Sequence, residues 1–482
     1  MNQTAKPVKL GFWGLTAIVF GMMVGAGIYN IPQNMAAGAG LGAVLISWVI
    51  TALGMLLLVA TFKTLADGRP DLDAGIYQYA QAGWGNFAGF NMAWGYWLCT
   101  CFANVAYAIM LNDAFGAFFP CMINSGWSQV IFGSLLIWGM FFVVSCGMHT
   151  AKRVNNILAV LKVCVILVII ALLCINVRMG MFSVDFWGTA GINGSLWDQI
   201  KSTMLVTLWC FIGIEGAVMM SAWARKPRDV GRAGIFGFFT AWLLYILVSV
   251  LCFGIITQQE LAGLENPSVA YVLRDSIGDW ASYFVIVAVI VSLLGGWVSW
   301  TLVCAQVPYK AAAVGIFPRR FMTVNRHSMP TFGLAMSSVI MQFFLLLVVV
   351  ANNVYLAALS ITGMMILPAY LFSGLYLWKT ASDSDHHRLI SGTGTCRNRL
   401  TAAGCVLFCM WMIYAGGLDL LIMTSIFYLF GMGFFIKVRR EQNSEAVPTR
   451  PLLTKQEIWI FAAIVACAAT SALLLATGRW HI

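Results

Sequence analysis

The sequence predicts an all-α, polytopic membrane protein, and three observations predict it. The 482 residues are 61% hydrophobic and only 10% charged, with a mean hydropathy of +0.85; a soluble domain carries about 25% charged residues. Apolar runs of roughly 20 residues, each long enough to cross the hydrocarbon core, recur along the whole chain. The basic residues are also sorted by side. With the N-terminus in the cytoplasm and the spans alternating, the cytoplasmic segments collect almost all of the 28 Lys and Arg residues. Only Arg178, Lys201, Arg274 and Arg479 fall on the other side, and Lys162 sits inside a span. This is the positive-inside pattern, and a missed span would mix the two sets. The net charge of +10 is therefore a topology signal. Nucleic-acid binding would need one concentrated basic face, whereas these charges are shared among many short loops.

Thirteen spans follow, near 10–38, 42–66, 86–118, 128–148, 154–177, 197–222, 233–257, 279–312, 330–351, 353–378, 399–416, 418–436 and 457–477. The first begins after Lys6 and Lys9, lacks a small-residue cleavage site and outruns a signal peptide, so it is read as mature structure. Spans 1–5 (about 10–177) and 6–10 (about 197–378) form two sets of five within a core over 1–378. Residues 379–398 read as a polar cytoplasmic loop, and 399–436 hold spans 11 and 12. A polar linker opens the segment 437–482, whose stretch "IWIFAAIVACAATSALLLA" has no polar face. That stretch is expected to span rather than lie on the surface, which places the C-terminus in the periplasm.

Few residue types here suggest enzyme chemistry. Of the 13 cysteines, only Cys121 and Cys396 read as loop residues, and the rest serve as small hydrophobes within spans. Cys99 and Cys101 are too close for a zinc knuckle and have no partner pair. The five histidines fall at span ends or in loops, and His386-His387 reads as a solvated pair. No strand precedes Gly38-Ala-Gly40, so it is not a dinucleotide loop. Neither a metal nor another cofactor is expected.

Two apolar runs carry residues that break helices. Span 1 contains "GMMVGAGIYNIPQ", with Gly21, Gly25, Gly27 and Pro32 inside thirteen residues. Span 6 contains "TLWCFIGIEG", with Gly213 and Gly216 on either side of Glu215. One glycine-rich run alone equally fits a small-residue packing seam. Two runs at the first position of each set of five are the pointer to an inverted-repeat transporter with discontinuous helices. Unwound backbone survives at membrane depth only where protein encloses it. Its free N–H groups favour an anionic group and its free carbonyls a cationic one, which together suit the carboxylate and ammonium of an amino acid. Glu215 and Lys162 lie within spans, where a charge costs roughly 2.5–3.5 kcal/mol on insertion scales. Lys162 is too deep in span 5 for easy snorkelling. Both are therefore candidates for gating or coupling, against the plainer reading of a structural ion pair.

At these residues the chain resembles the amino acid–polyamine–organocation superfamily. More narrowly, it is similar to the basic amino acid/polyamine antiporters that exchange arginine for ornithine or agmatine. The resemblance rests on "GMMVGAGIYNIPQNMAAGAG" (21–40), "LDAGIYQYAQAGWG" (72–85), "WGYWLCTCFANVAY" (94–107), "LVTLWCFIGIEGA" (205–217), "ELAGLENPS" (260–268) and "SWTLVCAQ" (299–306), and covers spans 1–12. It implies a five-plus-five inverted-repeat core with helices 1 and 6 unwound, followed by helices 11 and 12; the thirteenth helix departs from it.

The resemblance also implies roles. The backbone at Gly25, Ala26 and Gly27 would bind the substrate carboxylate, and the carbonyls of Met23 and Ile212 the α-ammonium. Ala26 stands where some relatives have serine, so no hydroxyl is available there. Met22 stands where some carry asparagine. Trp209 would stack on a guanidinium, worth about 2 kcal/mol when desolvated. Asn104 and the carbonyls near Cys99 and Thr100 would hold the polar head. Trp300 would pack along the aliphatic stem and close a barrier, and Tyr96 and Glu215 would belong to the gating layer. Lys162 would place its ammonium where sodium-coupled members hold an ion, so sodium coupling is not expected.

The expected function is exchange of external L-arginine for an internal arginine-derived cation, agmatine slightly favoured over ornithine, by alternating access in a bacterial inner membrane. The expected partners are cationic amino acid or polyamine substrates, the lipid bilayer and a second copy of the chain as a homodimer, with no nucleic acid. Proton-coupled import of a basic amino acid, with Glu215 or Lys162 titrating, is the nearest alternative. A membrane-embedded enzyme is disfavoured because no histidine lies mid-span and Glu215 lacks an acidic or histidine partner at short spacing. A channel would show a repeated pore element or charged rings.

Overall fold

The structure, a computed structural model, describes residues 11–25, 27–123, 125–189, 194–219, 224–349, 354–382, 395–444 and 451–477. The helices are α1 (Phe12–Met23), α2 (Gly27–Ala36), α3 (Leu41–Gly68), α4 (Ile76–Trp84), α5 (Asn86–Gly116), α6 (Gly126–Ser145), α7 (Met148–Asn176), α8 (Leu196–Trp209) and α9 (Gly216–Met219). They continue with α10 (Pro227–Phe253), α11 (Gln258–Ala262), α12 (Ser268–Ile277), α13 (Asp279–Ala313), α14 (Thr331–Leu346), α15 (Val354–Ser382), α16 (Thr395–Gly416), α17 (Leu418–Asn443) and α18 (Lys455–Ala476). Among the described residues, 10 helices are long and apolar enough to cross a bilayer. The pair α1 and α2, bent by 43° at its break, makes an eleventh span. The 29-residue α7 and the interrupted α8–α9 occupy the two remaining predicted spans.

Local chemistry sets the boundaries. Ser195 caps α8 and Asp198 returns the bond to the Ser195 N–H, a capping box. Thr454 and Glu457 do the same for α18. Pro227 occupies the first turn of α10, where its missing N–H costs nothing. Several boundaries differ from the sequence reading, and three in the last third of the chain are instructive. Helix α15 runs on to Ser382 and α16 begins at Thr395, so Cys396 lies in a first helical turn and not in a loop; residues 383–394 lie outside the described segments. Helix α17 continues to Asn443 because its polar end is used: Glu441 accepts from the Arg319 N–H at 2.9 Å, and the Gln442 amide donates to the Gly315 carbonyl at 2.7 Å. Arg439 also pairs with Glu457 of α18 at 2.7 Å.

The core helices are fixed by polar bonds between spans, a common device where burial against lipid supplies little drive. Ser47 and Thr51 of α3 meet Thr203 and Thr207 of α8 at 2.8 and 2.7 Å, one helical turn apart on both sides. The Gly40 N–H donates to Gln199 at 2.9 Å. The most enclosed span is α5, with 83% of its membrane window buried; α18 is the least, at 11%. The functional residues therefore gather around α5, α13, α15 and the broken helices.

Candidate functional site

The end of α1 explains itself by counting carbonyls. Val24 is extended at φ −87° and ψ 92°, so the helix stops at Met23. The Gly25 N–H reaches back to the Met23 carbonyl, at 3.1 Å, and among the described residues no main-chain N–H claims the Gly21 carbonyl. Helix ends bare such carbonyls, and buried ones need partners. Side chains from three other helices supply them. Lys162 of α7 donates to Gly21 O at 3.3 Å and to Val24 O at 2.5 Å. The Trp300 indole of α13 donates to Met22 O at 3.2 Å, and the Tyr245 hydroxyl of α10 to Met23 O at 2.7 Å. Lys162 is buried and no carboxylate pairs with it among the described residues.

The second break is tightened rather than straightened. After Trp209 the chain follows three-residue turns, with Phe211 N–H to Leu208 O at 2.9 Å and Ile214 N–H to Phe211 O at 3.1 Å. Gly213 sits at φ +110°, a conformation that side-chain-bearing residues rarely adopt. No main-chain donor bonds the Ile212 carbonyl among the described residues. The two breaks touch: a Cβ added at Gly213 would lie 2.7 Å from the Met22 Cβ, and one at Gly216 would lie 2.5 Å from the Met22 sulfur.

Between the breaks lies a small cavity of about 10 Å3, roughly the room one water needs. Five predicted residues line it: Met23, Gly25, Trp209, Ile212 and Trp300. Met22, Ala103, Tyr107, Tyr245 and Thr362 line it too, and were not assigned from sequence as substrate contacts. Tyr107 was nevertheless accessible to helical periodicity, because it lies three residues after Asn104 and four after Ala103 on α5. Gly27 sits under the Trp209 ring, whose Cη2 is 2.8 Å from where a Cβ would stand. Ala26 lies outside the described residues.

The other predicted residues form layers beside the cavity. Asn104 donates to Thr100 O at 2.7 Å and to Cys304 Sγ at 3.2 Å, and its buried carbonyl oxygen has no partner among the described residues. Thr100 takes the Cys304 thiol at 3.1 Å, and Cys99 is buried beside them. Glu215 accepts from Tyr96 at 2.9 Å, from Tyr370 at 2.6 Å and from the Gly213 N–H at 3.0 Å. Both carboxylate oxygens are thus engaged in a layer tying α5, the second break and α15. Toward the basic-loop side, Lys310 donates to Met219 O at 2.7 Å and Asp73 O at 3.2 Å. Beyond those bonds, Arg69 pairs with Asp71 at 2.7 Å in the loop and holds that carboxyl below its usual range by hydrogen bonding. Toward the opposite end, Tyr29 meets Ser292 at 3.0 Å, Asn30 donates to Tyr355 at 3.4 Å, and Gln33 donates to Ala262 O at 3.1 Å. Polar layers therefore close the cavity on both sides.

Two interrupted helices, each first in a set of five and flanking a small cavity with polar layers on both sides, define an inverted-repeat secondary transporter. The chain belongs to the amino acid permease family, whose pattern it matches over residues 10–469. It is 40% identical over 476 residues to the arginine/agmatine antiporter of Chlamydia felis, covering 96% of this chain and 97% of that one. It is 39% identical to the protein of the same description in Chlamydia caviae, over 99% of both chains. A Clostridium perfringens protein described only as an amino-acid transporter is 40% identical, over 93% of this chain and 94% of its own. Among solved structures, MhsT in complex with L-phenylalanine matches with a TM-score of 0.60 at 15% identity, covering 83% of this chain and 97% of that one. That likeness establishes the fold. The family is one of multi-pass transporters and not of enzymes.

Proposed function

We propose that the chain exchanges external L-arginine for internal agmatine by alternating access. The observation that carries this reading is the cavity between the two breaks, where Trp209 and Trp300 face the bared main chain of α1 and the Ile212 carbonyl. Relatives about 40% identical along nearly the whole chain are described as arginine/agmatine antiporters, which supports the substrate pair.

In this reading the N–H groups at Gly25, Ala26 and Gly27 seat the carboxylate, and the Met23 and Ile212 carbonyls take the ammonium. Met23 O already accepts from Tyr245 and Gly25, so Ile212 O is the freer acceptor. Asn104 turns its unpartnered oxygen to the guanidinium, which stacks on Trp209. The cavity must widen to admit any of these cations, and the polar layers on its two sides are the parts that open in turn. The Glu215 layer and Lys310 face the cytoplasm, and the protein sits in a bacterial inner membrane as a homodimer with its N-terminus inside and its C-terminus outside.

Proteoliposomes loaded with unlabelled agmatine should take up labelled arginine rapidly, and empty ones should not. Equal uptake into empty vesicles would exclude obligate exchange. Loading with ornithine in parallel decides between the two counter-substrates.

A further inference from the structure

We propose that Tyr107 is a specificity-determining residue that donates its phenolic proton to the substrate carboxylate. This rests on the proposed seating of that carboxylate at the broken end of α1.

Ala26 provides no hydroxyl at this seat, so a side-chain donor has to come from elsewhere in the cavity wall. The lining offers few. The Tyr245 proton is committed to Met23 O, the Thr362 proton to Ala358 O at 2.6 Å, and the Trp300 N–H to Met22 O. Trp209 turns its six-membered ring, Cζ3 and Cη2 first, toward Gly27. Its N–H lies on the opposite edge of the indole, away from Gly27. Tyr107 is left. It lines the cavity, and its hydroxyl makes no hydrogen bond to an acceptor among the described residues, so its proton is free to be donated.

Its position fits the task. The hydroxyl presses on Gly25, with Cζ 3.0 Å from where a Gly25 side chain would begin. On its other flank is Gly296 of α13, where an added Cβ would lie 2.9 Å from the same hydroxyl. Glycines on two segments, Gly25 at the break and Gly296 on α13, thus form a slot that admits the phenol and holds its hydroxyl against the broken end of α1. The ring is almost wholly buried, at 4% exposure, so its orientation is fixed before substrate arrives. A donor held this way recognises a carboxylate and gains nothing from an amine that lacks one. Tyr107 therefore weighs the two substrates against each other: it tightens the seat for the amino acid and leaves the decarboxylated product unaffected.

The test is Tyr107→Phe, which keeps the ring and its packing and removes one hydroxyl. Binding of L-arginine and of agmatine is measured on the same purified protein. Arginine should weaken roughly tenfold, the size of one lost hydrogen bond to a charged group, while agmatine stays within about twofold. The unchanged amine also certifies that the variant is folded. Equal weakening of both ligands, or no weakening of either, overturns the proposal. The comparison is made within a pair differing only in the carboxylate. If the wild-type protein binds neither arginine nor agmatine, the exchange reading fails, and ornithine with putrescine judges Tyr107 by the same criterion.

Discussion

Replacing Lys162 by methionine tests whether the α1 break is held open by a single ammonium. The substitution keeps most of the side-chain volume and removes all three donors. It strands two carbonyls, Gly21 O and Val24 O, that Lys162 bonds at 3.3 and 2.5 Å. Each buried carbonyl left unpaired costs roughly 1–3 kcal/mol, so the broken conformation loses about 2–6 kcal/mol relative to alternatives in which those carbonyls find other partners. Against this, an unpaired buried ammonium carries a desolvation cost of several kcal/mol that the variant no longer bears. The two effects oppose each other in overall stability but not in the geometry of the break, which only the first one touches. We therefore expect normal membrane insertion and a monodisperse protein. Exchange of labelled arginine for agmatine in proteoliposomes should fall at least tenfold, since about 1.4 kcal/mol is a factor of ten. A Lys162→Met protein exchanging within about twofold of wild type would refute the idea that this ammonium holds the site in shape.

Other perturbations probe the remaining parts. Gly27→Ala drives a Cβ into the Trp209 ring, and such overpacking costs about 1–3 kcal/mol; arginine binding by calorimetry should weaken about tenfold, and unchanged binding would mean the ring is not part of the seat. Trp209→Leu removes the stacking face, worth about 2 kcal/mol when desolvated, so the KM for arginine should rise well beyond that for ornithine; equal rises would remove the guanidinium role. Tyr370→Phe deletes the 2.6 Å bond to Glu215, a charge-assisted bond worth about 1.5–3 kcal/mol, and should raise uptake into unloaded vesicles; a tight variant would show that this layer is not a barrier. Replacing sodium by choline should leave exchange unchanged, because Lys162 already supplies a positive charge beside α1.

The spans were readable because lipid imposes a coarse code. Twenty apolar residues and a basic loop say nearly everything about where a helix crosses, and each of the thirteen predicted runs is helical over most of its described residues, the first and sixth being interrupted at their breaks. What a periodicity argument misses lies outside the hydrocarbon: the short helices α4, α11 and α12, and the polar extension of α17, whose residues are helical because Glu441 and Gln442 find partners on the segment after α13. Within the site, Gly25, Gly213 and Glu215 were legible because each is out of place in an apolar helix. Tyr245 and Tyr370 were not, because a tyrosine in a span is unremarkable until its hydroxyl is seen to meet a bared carbonyl or a buried carboxylate; Tyr107 had only its spacing from Asn104 to mark it. Trp300 was anticipated as a wall of the chamber, while its bond to Met22 O needed the fold, since the two residues are 278 positions apart.

Met22 has a mechanical consequence. Its side chain meshes with Gly213 and Gly216 as a tooth meets a notch. In the exchange cycle proposed above, this contact gears the two interrupted helices together, so that one is expected to carry the other with it. Enlarging the notch or shortening the tooth would let one part slip past the other, and the two halves of the cycle would fall out of step.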